Sequence, residues 1–269
     1  MIIGNKEFCT EKQGYIMGIL NVTPDSFSDG GNYDKMDAAL FQTEKMIKEG
    51  ATIIDVGGES TRPNHTKISD EEEITRVVPV IEAIRKRFDT VISLDTYKSK
   101  VAKAGIEAGA DLINDIWGLK WDGTMADVIA KSGVAACLMH NRKQMDYTDF
   151  VNDVIADLAE TMDLAAKAGI EKDKIMLDPG IGFAKDLEQN RLLMKHLERL
   201  NEFDVPVLLG TSRKSMIGLT LDLPVDQREE GTMATTIIGY LAGCRFFRVH
   251  DVKMNYRALK MTEAICNQN

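Results

Sequence analysis

The stretch VISLDTYKSKVAKAGIEAGADLINDIW, residues 91–117, decides how the chain is built. It holds two short apolar runs, VISLDT (91–96) and LINDIW (112–117), with a helix-like segment between them. A strand, a helix and a second strand in so short a span join parallel neighbours, because antiparallel partners need only a hairpin. The runs are nearly continuous in apolar residues, which marks strands buried on both faces under covering helices.

Working outward, the same unit recurs. Before it come YIMGIL (15–20) and TIIDVG (52–57), and after it AACLMH (135–140), IMLDPG (175–180), VLLGTS (207–212) and FFRVHD (246–251). The segment DEEEITRVVPVIEAIRKRF (70–88) opens on acids and closes on bases, as the helix dipole favours, and Pro79 inside it predicts a bend. Eight such units in 269 residues fit a closed (β/α)8 TIM barrel better than an open doubly wound sheet. No Pro/Gly/Ser linker or break in composition interrupts them, so one domain over 1–269 is expected. Residues 2–13 precede the first strand and are expected to form a small hairpin over the barrel bottom. The seventh helix, near 226–243, is the least distinct, since DQREEGTMATTIIGYLAGC carries three glycines.

Composition narrows the function classes. An apolar fraction of 44% supplies a sizeable core, and a formal charge of −9 without any basic tract argues against nucleic acid as a partner. Cys9, Cys137, Cys244 and Cys266 are far apart and form no CxxC pair, which reads as reduced thiols in a cytoplasmic protein. No stretch suits a signal peptide or a membrane span, so no membrane partner is expected.

In a parallel barrel the site lies at the C-terminal strand ends. Those ends read Asn21, then Gly57 to Arg62, Asp95, Asn114, His140, Asp178, Ser212-Arg213-Lys214 and Arg248-Val249-His250. Each has a plainer reading alone. An Asp or Asn caps the next helix, His140 alone suits a structural role, and DPG at 178–180 makes a turn. Asp55 and Asp115, inside their strands, suit structural polar positions. Eight polar ends together point to one shared cavity, because burying that ring without a ligand is costly. The chain lacks GxGxxG after a strand, GxxxxGK[ST], HExxH and GxSxG, and its four histidines share no helical spacing for a zinc site.

All of these ends except His140 sit within GILNVTPDSFSDGG (18–31), GGESTRP (57–63), SLDT (93–96), NDI (114–116), LDPGIGF (177–183), GTSRKS (210–215) and RVHDV (248–252). In that order they closely resemble the dihydropteroate synthase family of the folate pathway, over almost the whole chain. The resemblance implies a transferase on a (β/α)8 barrel. It condenses 6-hydroxymethyl-7,8-dihydropterin diphosphate with 4-aminobenzoate, giving 7,8-dihydropteroate and pyrophosphate.

By the same resemblance, Asp95, Asn114, Asp178 and Lys214 read the edge of the pterin ring. Asp178 accepts from the 2-amino and ring N–H groups, Lys214 donates to the ring carbonyl and N5, and Asp95 lies near N8. Thr61, Arg248, Val249 and His250 hold the diphosphate, and Asn21 is the one direct protein ligand of Mg²⁺. Asp95, Lys214, Arg248 and His250 are the candidate catalytic group. Phe27, Arg62, Pro63, Phe183, Lys214 and Ser215 form the aminobenzoate pocket, where sulfonamides should compete. Loops 21–34 and 59–70 are expected to close over the diphosphate. No residue looks like a strong general base, which suits departure of pyrophosphate to leave a pterin methylene cation that the arylamine attacks. The sequence departs from the family at NHTK (64–67) and MHNRKQMDY (139–147), both in or near loops. Two other readings share the pterin slot: a methyltetrahydrofolate-corrinoid methyltransferase-like domain, and a paralogue that binds pterins without catalysis. The resemblance also implies a homodimer.

Overall fold

The computed structural model describes residues 1–23, 32–59 and 67–268, with side chains in the second stretch from 35 onward. Two short strands, β1 (Ile2–Ile3) and β2 (Lys6–Glu7), pair antiparallel through a turn at Gly4, whose φ is +59°. Then strands and helices alternate. They run β3 (Tyr15–Asn21), α1 (Asn32–Glu49), β4 (Ala51–Gly57), α2 (Asp70–Arg87), β5 (Val91–Asp95), α3 (Ser99–Ala108), β6 (Leu112–Asp115) and α4 (Met125–Ser132). They continue as β7 (Ala135–Met139), α5 (Phe150–Ala168), β8 (Ile175–Asp178), α6 (Leu187–Lys195), β9 (Leu208–Leu209), α7 (Ser215–Leu221), α8 (Glu229–Leu241), β10 (Phe246–Val249) and α9 (Val252–Cys266).

The eight strands from β3 onward lie in the order β8-β7-β6-β5-β4-β3-β10-β9, and each pairs parallel with its neighbours. A parallel bridge between Leu177 and Val207, and the bond from Leu177 N–H to the Pro206 carbonyl (3.0 Å), join the two ends into a barrel. Helix α2 starts on Ser69, whose hydroxyl accepts from Glu72 N–H, and runs through Pro79 without ending there.

Side chains alternate across a strand, so the register sorts each residue inward or outward. The lowest inward layer is Met17, Ile53, Val91, Leu112, Ala135, Met176, Leu208 and Phe246, sealed from beneath by Ile3 and Phe8. The N-terminal hairpin therefore does plug the bottom. The outward residues, among them Ile54, Leu94, Ile113, Leu138, Leu177 and Phe247, merge with the helices in the larger core. Two positions above the bottom layer five of the eight inward residues are polar: Asp55, Ser93, Asn114, Asp178 and Arg248.

The indistinct seventh helix has a packing explanation. It begins later than expected, as α8, after the separate short helix α7 and a 3-10 turn at Val225–Gln227. A Cβ on Gly231 would meet Ile217 at 2.3 Å, and one on Gly239 would meet Leu209 at 2.4 Å. The glycines that blur the helical signal are thus what let α8 press against α7 and β9.

Candidate active site

The register places Asp95 beside Gly57 on one side and Asn114 on the other. A Cβ on Gly57 would lie 3.6 Å from Asn21 Oδ1 and 3.7 Å from Asp95 Oδ2, so glycine there leaves room between these groups. Likewise Asp178 Oδ2 and the Arg248 stem flank Gly210, at 3.6 and 3.9 Å from its Cβ position. Ring-edge candidates and anion grips from four strands therefore share one mouth. Buried Tyr97, Ile116 and Met139, with Trp117 and Phe183 against them, give that mouth apolar walls.

Arg248 ties the layer together. Its Nε donates to Asp55 Oδ2 at 2.6 Å and its Nη2 to Asp95 Oδ2 at 2.7 Å. Asp55 is fully buried and also accepts from Ser93 Oγ at 2.5 Å and from Asn114 Nδ2 at 3.4 Å. Burial opposes the guanidinium charge, but Asp55 and Asp95 hold it firmly protonated. Arg248 Nη1 makes no hydrogen bond among the described residues, and neither does the buried Asp95 Oδ1. An unmatched carboxylate oxygen at this depth has a desolvation cost and awaits a donor. Burial, joined by the neighbouring Asp55 charge and opposed by Arg248, raises the Asp95 carboxyl well above its ordinary range.

Asp178 ends β8, and its Oδ1 accepts from Gly180 N–H at 2.6 Å. Burial raises its carboxyl, with Lys214 acting the other way. Lys214 precedes α7 and lies across the loop after β8. Its ammonium donates to the Ile181 carbonyl and sits 4.4 Å above the centre of the Phe183 ring. Burial lowers Lys214 to about 8, against the attraction of Asp178. The backbone that delivers it is held in place: Arg213 has a left-handed φ of +58°, its N–H donates to Thr232 Oγ1, and its carbonyl accepts from Arg228. Ser212 Oγ lies 2.9 Å from His250 Nδ1 and accepts from His250 N–H. The serine thereby orients the ring.

Other strand-end residues go elsewhere. His140 is buried with both ring nitrogens engaged, by Asp157 of α5 and by Lys185, and is lowered to about 4 chiefly by burial. Asp115 faces outward, accepting from Trp117 N–H and Leu119 N–H, which is the structural role read for it. Asp55 is different. It faces inward and anchors Arg248, and counting two residues back from Gly57 would have found it. Val249 buries its side chain in the outer core, so only its backbone is left for a ligand. Ser215 is exposed at the start of α7. Phe27, Thr61, Arg62 and Pro63 lie outside the described residues, as do most of the two loops assigned to closure.

Glu59 is buried and serves the protein rather than a ligand. It receives Lys98 Nζ at 2.6 Å and Tyr97 OH at 2.7 Å, and it accepts from Ile68 N–H at 3.2 Å. This ties together the chain on both sides of 60–66. Among the described residues no group of three or more His, Cys, Asp or Glu is disposed to hold a metal ion. The donor set suits Mg²⁺ all the same. Asn21 offers a neutral oxygen beside the anion grips, and its side chain makes no hydrogen bond among the described residues. Mg²⁺ takes one such ligand readily when waters and phosphates supply the others.

Residues 17–250 match the pterin binding enzyme family. A dihydropteroate synthase of Clostridium beijerinckii is 57% identical over 266 residues, covering 98% of this chain and 99% of that one. A Clostridium difficile dihydropteroate synthase solved in the presence of pteroic acid superposes with a TM-score of 0.95 at 45% identity, covering 97% and 100%. The Xanthomonas albilineans enzyme, solved with 4-aminobenzoic acid, gives 0.91 at 40% identity, covering 96% and 94%.

Proposed function

From the premise that the chain belongs to the dihydropteroate synthase family of pterin-binding enzymes, we propose how its own residues perform the reaction. It is an enzyme of folate biosynthesis that joins 6-hydroxymethyl-7,8-dihydropterin diphosphate to 4-aminobenzoate and releases pyrophosphate. The observation that carries the residue roles is the convergence of Asp178, Lys214, Asn114, Asp95 and Arg248 on one mouth.

A pterin is flat and uncharged, with donors and acceptors along its edge. The apolar walls by Ile116 and Met139 take its faces, while Asp178 and Asn114 take its N–H groups. Lys214 supplies the opposite polarity, and Asp95 Oδ1 is a ready acceptor near N8. Arg248 is braced by two carboxylates, so Nη1 can meet the diphosphate without the side chain having to be ordered on binding. His250 adds a donor oriented by Ser212. Mg²⁺, when bound at Asn21, supplies further charge against the diphosphate. As the C–O bond breaks, negative charge builds where Arg248 and His250 lie, and positive charge spreads over a ring beside Asp95. Fixed charges already in place lower the barrier without reorganising. The amine nitrogen then attacks the methylene carbon beside Phe183, and needs no strong base.

One assay tests the activity. The protein is incubated with the pterin diphosphate, Mg²⁺ and 4-aminobenzoate, and pyrophosphate is measured. No release under any condition refutes the synthase reading. Rates with substituted anilines test the order of events, because a steep dependence on amine basicity contradicts early pyrophosphate departure.

A second copy of the chain is the proposed partner. Leu219 and Leu221 of α7, Val225, and Ile238 and Leu241 of α8 are all exposed apolar residues on neighbouring outer elements. Such a surface suits a homodimer, which sedimentation would detect. Among the described residues no helix is long and apolar enough to cross a membrane. The free buried thiols Cys137 and Cys244 support a cytoplasmic location.

A further inference from the structure

Lys185 takes no part in the steps above, yet it is 8% exposed and adjoins the site. A buried ammonium needs an acceptor for each N–H. Nζ lies 2.9 Å from the Gly180 carbonyl, 2.9 Å from the Phe183 carbonyl and 2.8 Å from His140 Nδ1. Three donors thus meet three acceptors. His140 can accept only as a neutral ring with its proton on Nε2. Asp157 selects that form, with Oδ2 at 2.9 Å from Nε2, and is itself held by Arg142 at 2.6 Å.

The segment these contacts hold is a costly one. Gly180, Gly182 and Ala184 have φ of +70°, +84° and +45°, and Ala184 carries the strain of a Cβ in the left-handed region. Gly180 is obligatory, since a Cβ there would fall 2.0 Å from the His140 carbonyl. From outside, Asn190 Oδ1 accepts from Gly182 N–H at 2.6 Å and Tyr147 OH donates to the Ala184 carbonyl at 2.9 Å. Between these supports stand Ile181, whose carbonyl receives Lys214, and Phe183.

We propose that Lys185 is a positioning residue for the aminobenzoate half of the site: its ammonium, stapled to the neutral His140 ring and to two loop carbonyls, fixes the Phe183 wall. This rests on the reading of Phe183 given above. The charges facing Lys185 are Asp157 and Arg142 behind the histidine, and Asp178 and Lys214 across the loop. Burial, with help from Lys214, lowers Lys185 to about 7. Once deprotonated it has two N–H groups for three acceptors, so the wall loosens as pH rises through that value.

Lys185→Met keeps the stem and removes the donors. Against wild-type turnover, KM for 4-aminobenzoate should rise about tenfold while kcat and KM for the pterin diphosphate stay within about threefold. An unchanged KM for 4-aminobenzoate, or equal rises in both KM values, overturns the proposal. Nitrogen-15 NMR of the His140 ring in the wild-type protein is independent of turnover and of how the variant folds. Between about pH 5 and 6.5, where Lys185 keeps its charge, it should show Nε2 protonated and Nδ1 bare, and a proton on Nδ1 overturns the staple. A wild type with no turnover would defeat the synthase reading, and the NMR result would still decide the staple.

Discussion

The two ends of the barrel are built by the same strands on the same pleat, yet they solve opposite problems. At the bottom, eight inward apolar side chains meet Ile3 and Phe8, and the space is filled. At the top, five of the next eight inward positions are Asp55, Ser93, Asn114, Asp178 and Arg248, and the Asp95 Oδ1 atom above them has no partner among the described residues. The bottom gains stability from burial. The top carries desolvated charges that a ligand, rather than the protein, completes. The difference teaches that stability and function separate along the strand axis within a few residues of each other.

That separation can be broken or sharpened by experiment. Phe246→Ala at the bottom should cost about 3–5 kcal/mol in urea unfolding while kcat of the remaining folded protein holds. A variant equally stable but inactive would contradict it. Asp178→Asn at the top should do the reverse, lowering kcat/KM for the pterin diphosphate about a hundredfold with little change in Tm. Lys214 sharpens the contrast through pH. Its value is depressed to about 8, so the ammonium donor is present below that and lost above it. Accordingly kcat/KM for the pterin diphosphate should fall about tenfold per unit above about pH 8. Lys214→Arg, which stays protonated, should remove that limb from the profile, and a limb that survives would assign it elsewhere. The smallest effect belongs to Ser212→Ala, which removes the hydroxyl beside His250 Nδ1 and leaves the ring in place. About a fivefold loss of kcat with stability intact is expected from steady-state rates.

How much of this was legible in the chain follows from the range of each signal. Strand ends such as Asp95, Asn114 and Asp178 are readable because a local apolar run points to them. Asp55 was within reach too, since a period of two back from Gly57 assigns it inward, but it sits inside an apolar run and reads as structure. The network under the loop after β8 was not legible. His140 and Lys185 are 45 positions apart, and Ser212 and His250 38 apart, so nothing local announces either contact. The division between α7 and α8 was blurred for a packing reason, the glycines at 231 and 239. The loops carrying Phe27 and Thr61 to Pro63 were read from motifs alone and fall outside the described residues.

The plug of Ile3 and Phe8 has a kinetic corollary. A tunnel closed at its base has a single doorway, so molecules queue. On the proposed assignments the bicyclic substrate must go in ahead of the arylamine, which would otherwise block its path. The joined product cannot slip out underneath, and has to back out the way its halves came.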